Sequence, residues 1–192
     1  CAVRSDGRSA SLTAPNGTAQ SSLIRAALAV GGGGALRFIE THGTGTALGD
    51  PTEVRGLQSA LGPAAGFEDA NALANGLCLV LGASKASFGH TEPAAGLLGL
   101  VALIRAHAHG SAPPNAKLRV LNPRLRGSLT ILAATVSAQS KRLLRARPRR
   151  ECMAAEGVSS FGYSGTIAHA VVLELSRPPT ERLMTASPAA LV

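Results

Sequence analysis

A histidine set in "ETHGTGTALGDPTEV", residues 40–54, is the first feature of this 192-residue chain equipped for chemistry. The glycines let the backbone approach a ligand closely, and Thr44 and Thr46 offer hydroxyls to hydrogen-bond it. The imidazole of His42 can donate to an oxyanion or move a proton. A second histidine, His90, follows Lys85 within "GASKASFGH". Two imidazoles facing one cavity beside an ammonium, whose charge biases their protonation, would suit stabilisation of developing negative charge. From spacing alone the alternative stands level: both rings cap turns or hydrogen-bond within the core. His107 and His109 lie at the end of a predicted helix, where a cation suits the dipole and an i, i+2 pair shares no face, so they are given no catalytic role. His169 reads as a structural strand residue, and Glu92 as either a hydrogen-bond partner of the loop or a helix cap.

The elements that must position these residues follow from periodicity. Apolar Leu23, Ile24, Ala27 and Leu28 mark a helix over 18–30, and "ALRFIET", 35–41, reads as a strand running into the His42 loop. Asp50 is expected to cap a helix with Pro51 first and Glu53 third. Residues 1–17 are polar and end in a turn, and 62–76 form a surface loop. "LCLVLGA", 77–83, is an apolar run typical of a strand covered on both faces. Thr91 is expected to cap, and Pro93 to begin, a long apolar helix ending near His109. "SLTILAATV", 128–136, reads as a strand, and "CMAAEGVSS" and "TIAHAVVLEL" as a hairpin around "FGYSG". Strand, loop and helix thus occur twice with a histidine at each strand's C-terminal end, where open α/β sheets place ligands. An α/β sheet with helices packed on it follows.

Composition narrows the classes. Hydrophobic residues at 45% allow a packed core, and an aromatic content of 3% makes that core aliphatic. The net charge of +8 favours anionic partners without speaking to fold. Cys1, Cys78 and Cys152 have no metal or disulfide spacing; they read as small buried hydrophobes in a reducing compartment, cytoplasmic by default with an organelle left open. No apolar run approaches the roughly 20 residues of a membrane span. The basic run "KRLLRARPRR", 141–150, has no aromatic interleaving, so a solvated face is preferred to a nucleic-acid patch. Because the sequence opens on Cys1 in place of Met, an excerpt of a longer chain is expected.

Three blocks in order, "THGTGTALGDPTEVRGL", "GASKASFGHTEPAAGLLGL" and "GVSSFGYSGTIAHAVVLE", resemble the downstream signatures of β-ketoacyl synthase domains, closest to those of modular type I polyketide synthases. The likeness spans about residues 3 to 175, leaving 176–192 as linker or tail. It implies the C-terminal half of a thiolase-like fold: a mixed sheet with helices packed on it and a closing antiparallel hairpin. It implies decarboxylative Claisen condensation of an acyl thioester with a malonyl-type thioester on an acyl carrier protein. In that reaction His42 and His90 would stabilise the enolate, with Lys85 supporting His90. Thr44 and Thr46 match hydroxyls that hold the carrier's phosphopantetheine; Phe161 and Gly162 match a pocket-lining loop that gives an amide to the oxyanion hole. The chain would hold no cofactor or metal of its own.

The departures from the pattern carry weight. The family's nucleophilic cysteine lies well over a hundred residues before the HGTGT block, and nothing here matches it. The fragment is therefore expected to be inactive alone, and sticky where the missing N-terminal half should cover it. Ile167 replaces an asparagine, and Lys85-Ala86-Ser87 stands where Lys-Ser-Asn is common, which removes amide hydrogen bonds. Expected partners are an acyl carrier protein, met by the Arg-rich run, and the missing half within a homodimeric parent. The alternative is a non-catalytic relic or acyl-carrier-binding module; nucleic acid and a membrane are not expected partners.

Overall fold

A short run of apolar residues suits a parallel strand covered on both faces, and Leu79–Gly82 is one, with every residue buried and parallel neighbours on both sides. The computed structural model describes residues 1–7, 14–30, 35–62, 78–143 and 154–173. In chain order the strands are β1 (Ala2–Ser5), β2 (Ala35–Glu40), β3 (Leu79–Gly82), β4 (Ser111–Ala112), β5 (Ala134–Val136), β6 (Lys141–Arg142), β7 (Ala154–Phe161) and β8 (Thr166–Leu173). The helices are α1 (Gly17–Val30), α2 (Gly49–Leu61), α3 (Lys85–Phe88), α4 (Ala95–His109) and α5 (Arg126–Leu132), with short 3-10 turns at Glu92–Ala94 and Pro123–Leu125.

Six strands form one sheet in the order β1-β8-β7-β2-β3-β5, and β4 pairs with β6 apart from it. The strands β7, β2, β3 and β5 are mutually parallel; β8 returns antiparallel to β7, and β1 lies antiparallel to β8 at the edge. The mixed sheet and its closing hairpin agree with the expectation. A break in register between Leu36 and Phe38 puts Leu36 and Ile39 on one face and Phe38 on the other. On the first face Leu36, Ile39, Leu79 and Leu81 meet Ile24 of α1, Val54 and Leu57 of α2, and Leu129 and Leu132 of α5. On the second, Phe38, Val80 and Val158 meet Leu103 and Ala106 of α4. Helix α4 rides close because it is glycine-faced: a Cβ on Gly99 would stand 3.2 Å from Val158, and one on Gly96 2.9 Å from Ser160 Oγ.

Several expectations are corrected. "SLTILAATV" is not one strand; α5 takes its first part and β5 only its end. Leu125, Ser128, Leu129 and Leu132 are buried at i, i+3, i+4 and i+7, a helical stripe that packs on the first core face, and Ala133 at φ +50° ends it. The polar N-terminal stretch contains β1, whose partner β8 lies more than 160 positions later, so no local signal marks it. Thr91 makes no side-chain cap; the 3-10 turn at Glu92–Ala94 leads into α4 instead. Cys1 is exposed, and Cys78 is half-buried just before β3, where Lys141 Nζ donates to its sulfur at 3.1 Å, so neither is a buried hydrophobe. Cys152, the surface loop beyond residue 62, most of the basic run and the proposed tail from 176 lie outside the described residues. His169 is buried in β8, with Nδ1 3.0 Å from Ser159 Oγ, and burial lowers its pKa to about 4. No helix is long and apolar enough to cross a membrane among the described residues.

Candidate active site

Three loops meet at one edge of the sheet because β2, β3 and β7 are parallel and end together. The first follows β2. Thr41 is the last residue held by the ladder, its amide and its hydroxyl both donating to the Gly82 carbonyl, at 2.8 and 2.7 Å. His42 comes next, and Gly43 then turns at φ +44° so close to β3 that a Cβ there would stand 2.7 Å from Ala83 Cβ. The second loop runs from Ala83 through Lys85 to His90, and the third leaves β7 at Phe161.

The rings of His42 and His90 lie 5.7 Å apart, edge to face, and the Phe161 ring is 5.4 Å from His42. Each imidazole has its Nδ1 occupied: Phe161 N–H donates to His42 at 3.3 Å, and Glu92 N–H to His90 at 3.0 Å. A neutral ring that accepts at Nδ1 must carry its proton on Nε2, so both are fixed as Nε2–H donors. Burial, with the positive charge of Lys85 adding to it, lowers the His42 pKa to about 4, so His42 is neutral near pH 7. The Lys85 pKa is also lowered by burial, opposed by Glu40 and Glu53. The outcome for Glu92 is neither expected role in full: its backbone amide, not its carboxylate, serves His90.

Two buried acids hold these loops: Glu53, which sequence reading took only as a helix-start residue, and Glu40, which it passed over. Glu53, buried on α2, accepts from the amides of His42 at 2.8 Å and Gly43 at 3.0 Å. Glu40, buried at the end of β2, accepts from the Ser84 amide and so ties the first loop to the second. Asp50 does not cap its helix as expected: α2 starts at Gly49, the Thr46 hydroxyl accepts the Gly49 amide at 3.0 Å, and Asp50 accepts from Gly45 at 3.1 Å. Thr44 is half-buried and Thr46 exposed on the same loop. Phe161 is half-buried at the end of β7, whereas the Gly162 amide is engaged with the Thr166 carbonyl at 2.7 Å, closing the hairpin turn. As placed, neither the Phe161 nor the Gly162 amide is free to serve an oxyanion. Ile167 is buried in β8 opposite Phe161. Among the described residues no His, Cys, Asp or Glu group is arranged to hold a metal.

Glu53 titrates where it can be tested. Burial, reinforced by Asp50, outweighs its two amide bonds and raises its pKa to about 7 from an ordinary 4.5. A carboxyl protonated more readily in the folded state than in the unfolded one contributes stability below pH 4.5, lost as pH rises through 7. The stability cost of Glu53→Gln, measured by urea unfolding, is expected to shrink by about 3 kcal/mol across that window. A cost independent of pH would show that burial leaves the Glu53 pKa at its unfolded value.

The profile of the family described as "Beta-ketoacyl synthase, C-terminal domain" matches residues 1–119. The chain belongs to the β-ketoacyl synthases. Among similar proteins, this β-ketoacyl synthase chain is 39% identical over 173 residues, 89% of its length, to a phenolphthiocerol/phthiocerol polyketide synthase of Mycobacterium tuberculosis. It is 39% identical over 175 residues to an erythronolide synthase of Saccharopolyspora erythraea. It superposes on the oxazolomycin ketosynthase domain of Streptomyces albus with a TM-score of 0.76 at 30% identity over 92% of the chain. The module 6 ketosynthase of the Bacillus subtilis bacillaene synthase gives a TM-score of 0.75 at 26% identity over the same share. The β-ketoacyl synthase chain spans 8% and 5% of those two synthases, and 30% and 29% of those two ketosynthase chains. Its fold is that of the C-terminal half of a thiolase-like ketosynthase.

Proposed function

We propose that this chain is the C-terminal part of the condensing domain of a longer polyketide synthase, and that it supplies the groups that stabilise an enolate. The observation that carries this reading is the convergence of two Nε2–H imidazoles, 5.7 Å apart beside Lys85, at the C-terminal edge of three parallel strands. In the proposed reaction the bond from the malonyl Cα to its carboxylate breaks, carbon dioxide leaves, and the electron pair remains on the thioester as an enolate. The enolate attacks an acyl group held on cysteine; a carbon–carbon bond forms and the thiolate leaves. His42 and His90 would donate to the enolate oxygen, and the neutral state of His42 suits donation because it keeps the Nε2 proton. Thr44 and Thr46 would hold the phosphopantetheine arm of an acyl carrier protein, and Phe161 with Gly162 would line the cleft.

The nucleophile must come from elsewhere in the parent. Cys1 opens the edge strand β1, three strands from β2, and Cys78 precedes β3, at the opposite end of that strand from His90. The outward side of α4 gives a place for the missing half: Leu97, Val101 and Ile104, at i, i+4 and i+7, are 66%, 48% and 50% exposed. A homodimeric parent belongs to the same proposal. Ile167 supports a second reading, a non-condensing module that holds carrier-borne acyl chains, since the asparagine amide usual at that place is lost. Mass spectrometry of the longer synthase supplied with acyl and malonyl carrier thioesters separates the two. Carbon dioxide release with a β-ketoacyl product is expected; acyl loading without either would establish the second reading.

A further inference from the structure

Eleven of the nineteen lysines and arginines fall between residues 93 and 150, a stretch with no aspartate or glutamate. Within it the segment from Asn115 to Arg126 is built to present charge. Asn115, buried, donates through Nδ2 to the carbonyls of Leu81 and Ser137 at 3.1 and 3.2 Å, which pins the segment to the ends of β3 and β5. At its other end Asn122 Oδ1 accepts from the Arg124 amide at 3.0 Å, Leu125 is buried in the core, and the Arg124 guanidinium reaches the Ala47 carbonyl at 3.5 Å. The segment thus runs along the sheet edge that bears His42 and His90 and touches the loop of Thr44 and Thr46. Lys117, Arg119, Arg124 and Arg126 are all exposed, with Val120 80% exposed among them. None of the four is paired with an acid among the described residues.

We propose that this segment is the docking surface for an acidic carrier domain that delivers its phosphopantetheine thioester to the adjacent cleft. The inference rests on the condensing reading above and names the partner's footprint. Charge complementarity selects an acidic partner and steers its approach. Exposed Val120, next to Arg119 in this basic segment, suits a protein interface with an apolar contact among charges, whereas single-stranded nucleic acid would call for aromatic stacking platforms, and no Phe, Tyr or Trp lies between Gly89 and Arg150. The position beside Ala47 puts the partner at the entrance to the hydroxyl-bearing loop.

The test uses the full-length synthase with Lys117, Arg119 and Arg126 all changed to Glu. At low salt the KM for a carrier-borne malonyl thioester is expected to rise about tenfold, and the gap to close at high salt. The KM for a soluble malonyl N-acetylcysteamine thioester, which needs no docking, and the melting temperature stay unchanged. An unchanged carrier KM, or an equal rise for both substrates, overturns the proposal. Loss of duplex-oligonucleotide binding with carrier KM intact would overturn it in favour of nucleic acid. The dissociation constant of the phosphopantetheinylated carrier, read by fluorescence anisotropy, keeps the docking question separate from the condensing one: weakened binding in a synthase that never condenses supports this surface while refuting the reaction.

Discussion

His42→Ala in the full-length synthase is expected to slow condensation by about 10²–10³-fold, the usual loss when one preorganised oxyanion donor is removed. His90→Ala should cost a similar factor, and the double variant less than the product of the two, because both donors serve one charge. Transfer of the acyl group onto the parent's cysteine should survive, since that step forms no enolate. The argument depends on protonation as well as position. With its pKa lowered to about 4 by burial and by the charge of Lys85, His42 carries no positive charge near neutrality. Its contribution to rate should therefore be flat from about pH 6 to 8 and fall away only in acid. His42→Gln, which retains an N–H donor, is expected to recover part of the loss. A His42→Ala synthase condensing within a few-fold of the parent would remove the imidazole from the mechanism.

Glu156→Leu carries the largest expected cost in stability, about 3–5 kcal/mol by urea unfolding, because it strips a counter-ion from buried charge. Glu156 is fully buried in β7, with Oε1 2.7 Å from Arg37 Nη2 and Oε2 2.8 Å from His107 Nδ1. These contacts join β7, β2 and the last turn of α4 near the strand ends opposite the His42 and His90 loops, so the rate of the folded fraction should change little. Combining Glu156→Leu with Arg37→Met should recover most of the loss, since an apolar pair of similar volume avoids desolvating charge. A double variant no more stable than the single one would mean that the penalty comes from packing and not from charge. His107, read from sequence only as a cation at a helix end, owes this contact to a residue 49 positions away.

Residues whose neighbours in the chain are also their neighbours in space were legible. Apolar "LCLVLGA" had to be a buried strand, "ALRFIET" a strand running into the His42 loop, and the Leu23–Ile24–Ala27 spacing a helix. A histidine at each of two strand ends followed directly, and the blocks that resemble condensing enzymes lie on those same loops. Legibility failed where two local patterns compete. Residues 128–136 alternate well enough for a strand, yet Leu125, Leu129 and Leu132 also fit a helix, and only the core under β2 and β3 favours the second.

By itself, then, the sequence determined the α/β class, the closing hairpin, the family and the two loops that carry His42 and His90. Tertiary structure alone decided that Glu53 grips the amides of His42 and Gly43, that Glu40 ties one loop to the other, and that the first amide of α2 goes to Thr46 and not to Asp50. It also decided that the Asn115–Arg126 segment lies against the loop of Thr44. The physical reason is range. Propensity and periodicity act over a turn or a strand, while a buried carboxylate takes whichever donors the packed sheet brings within about 3 Å, however far apart they stand in the chain.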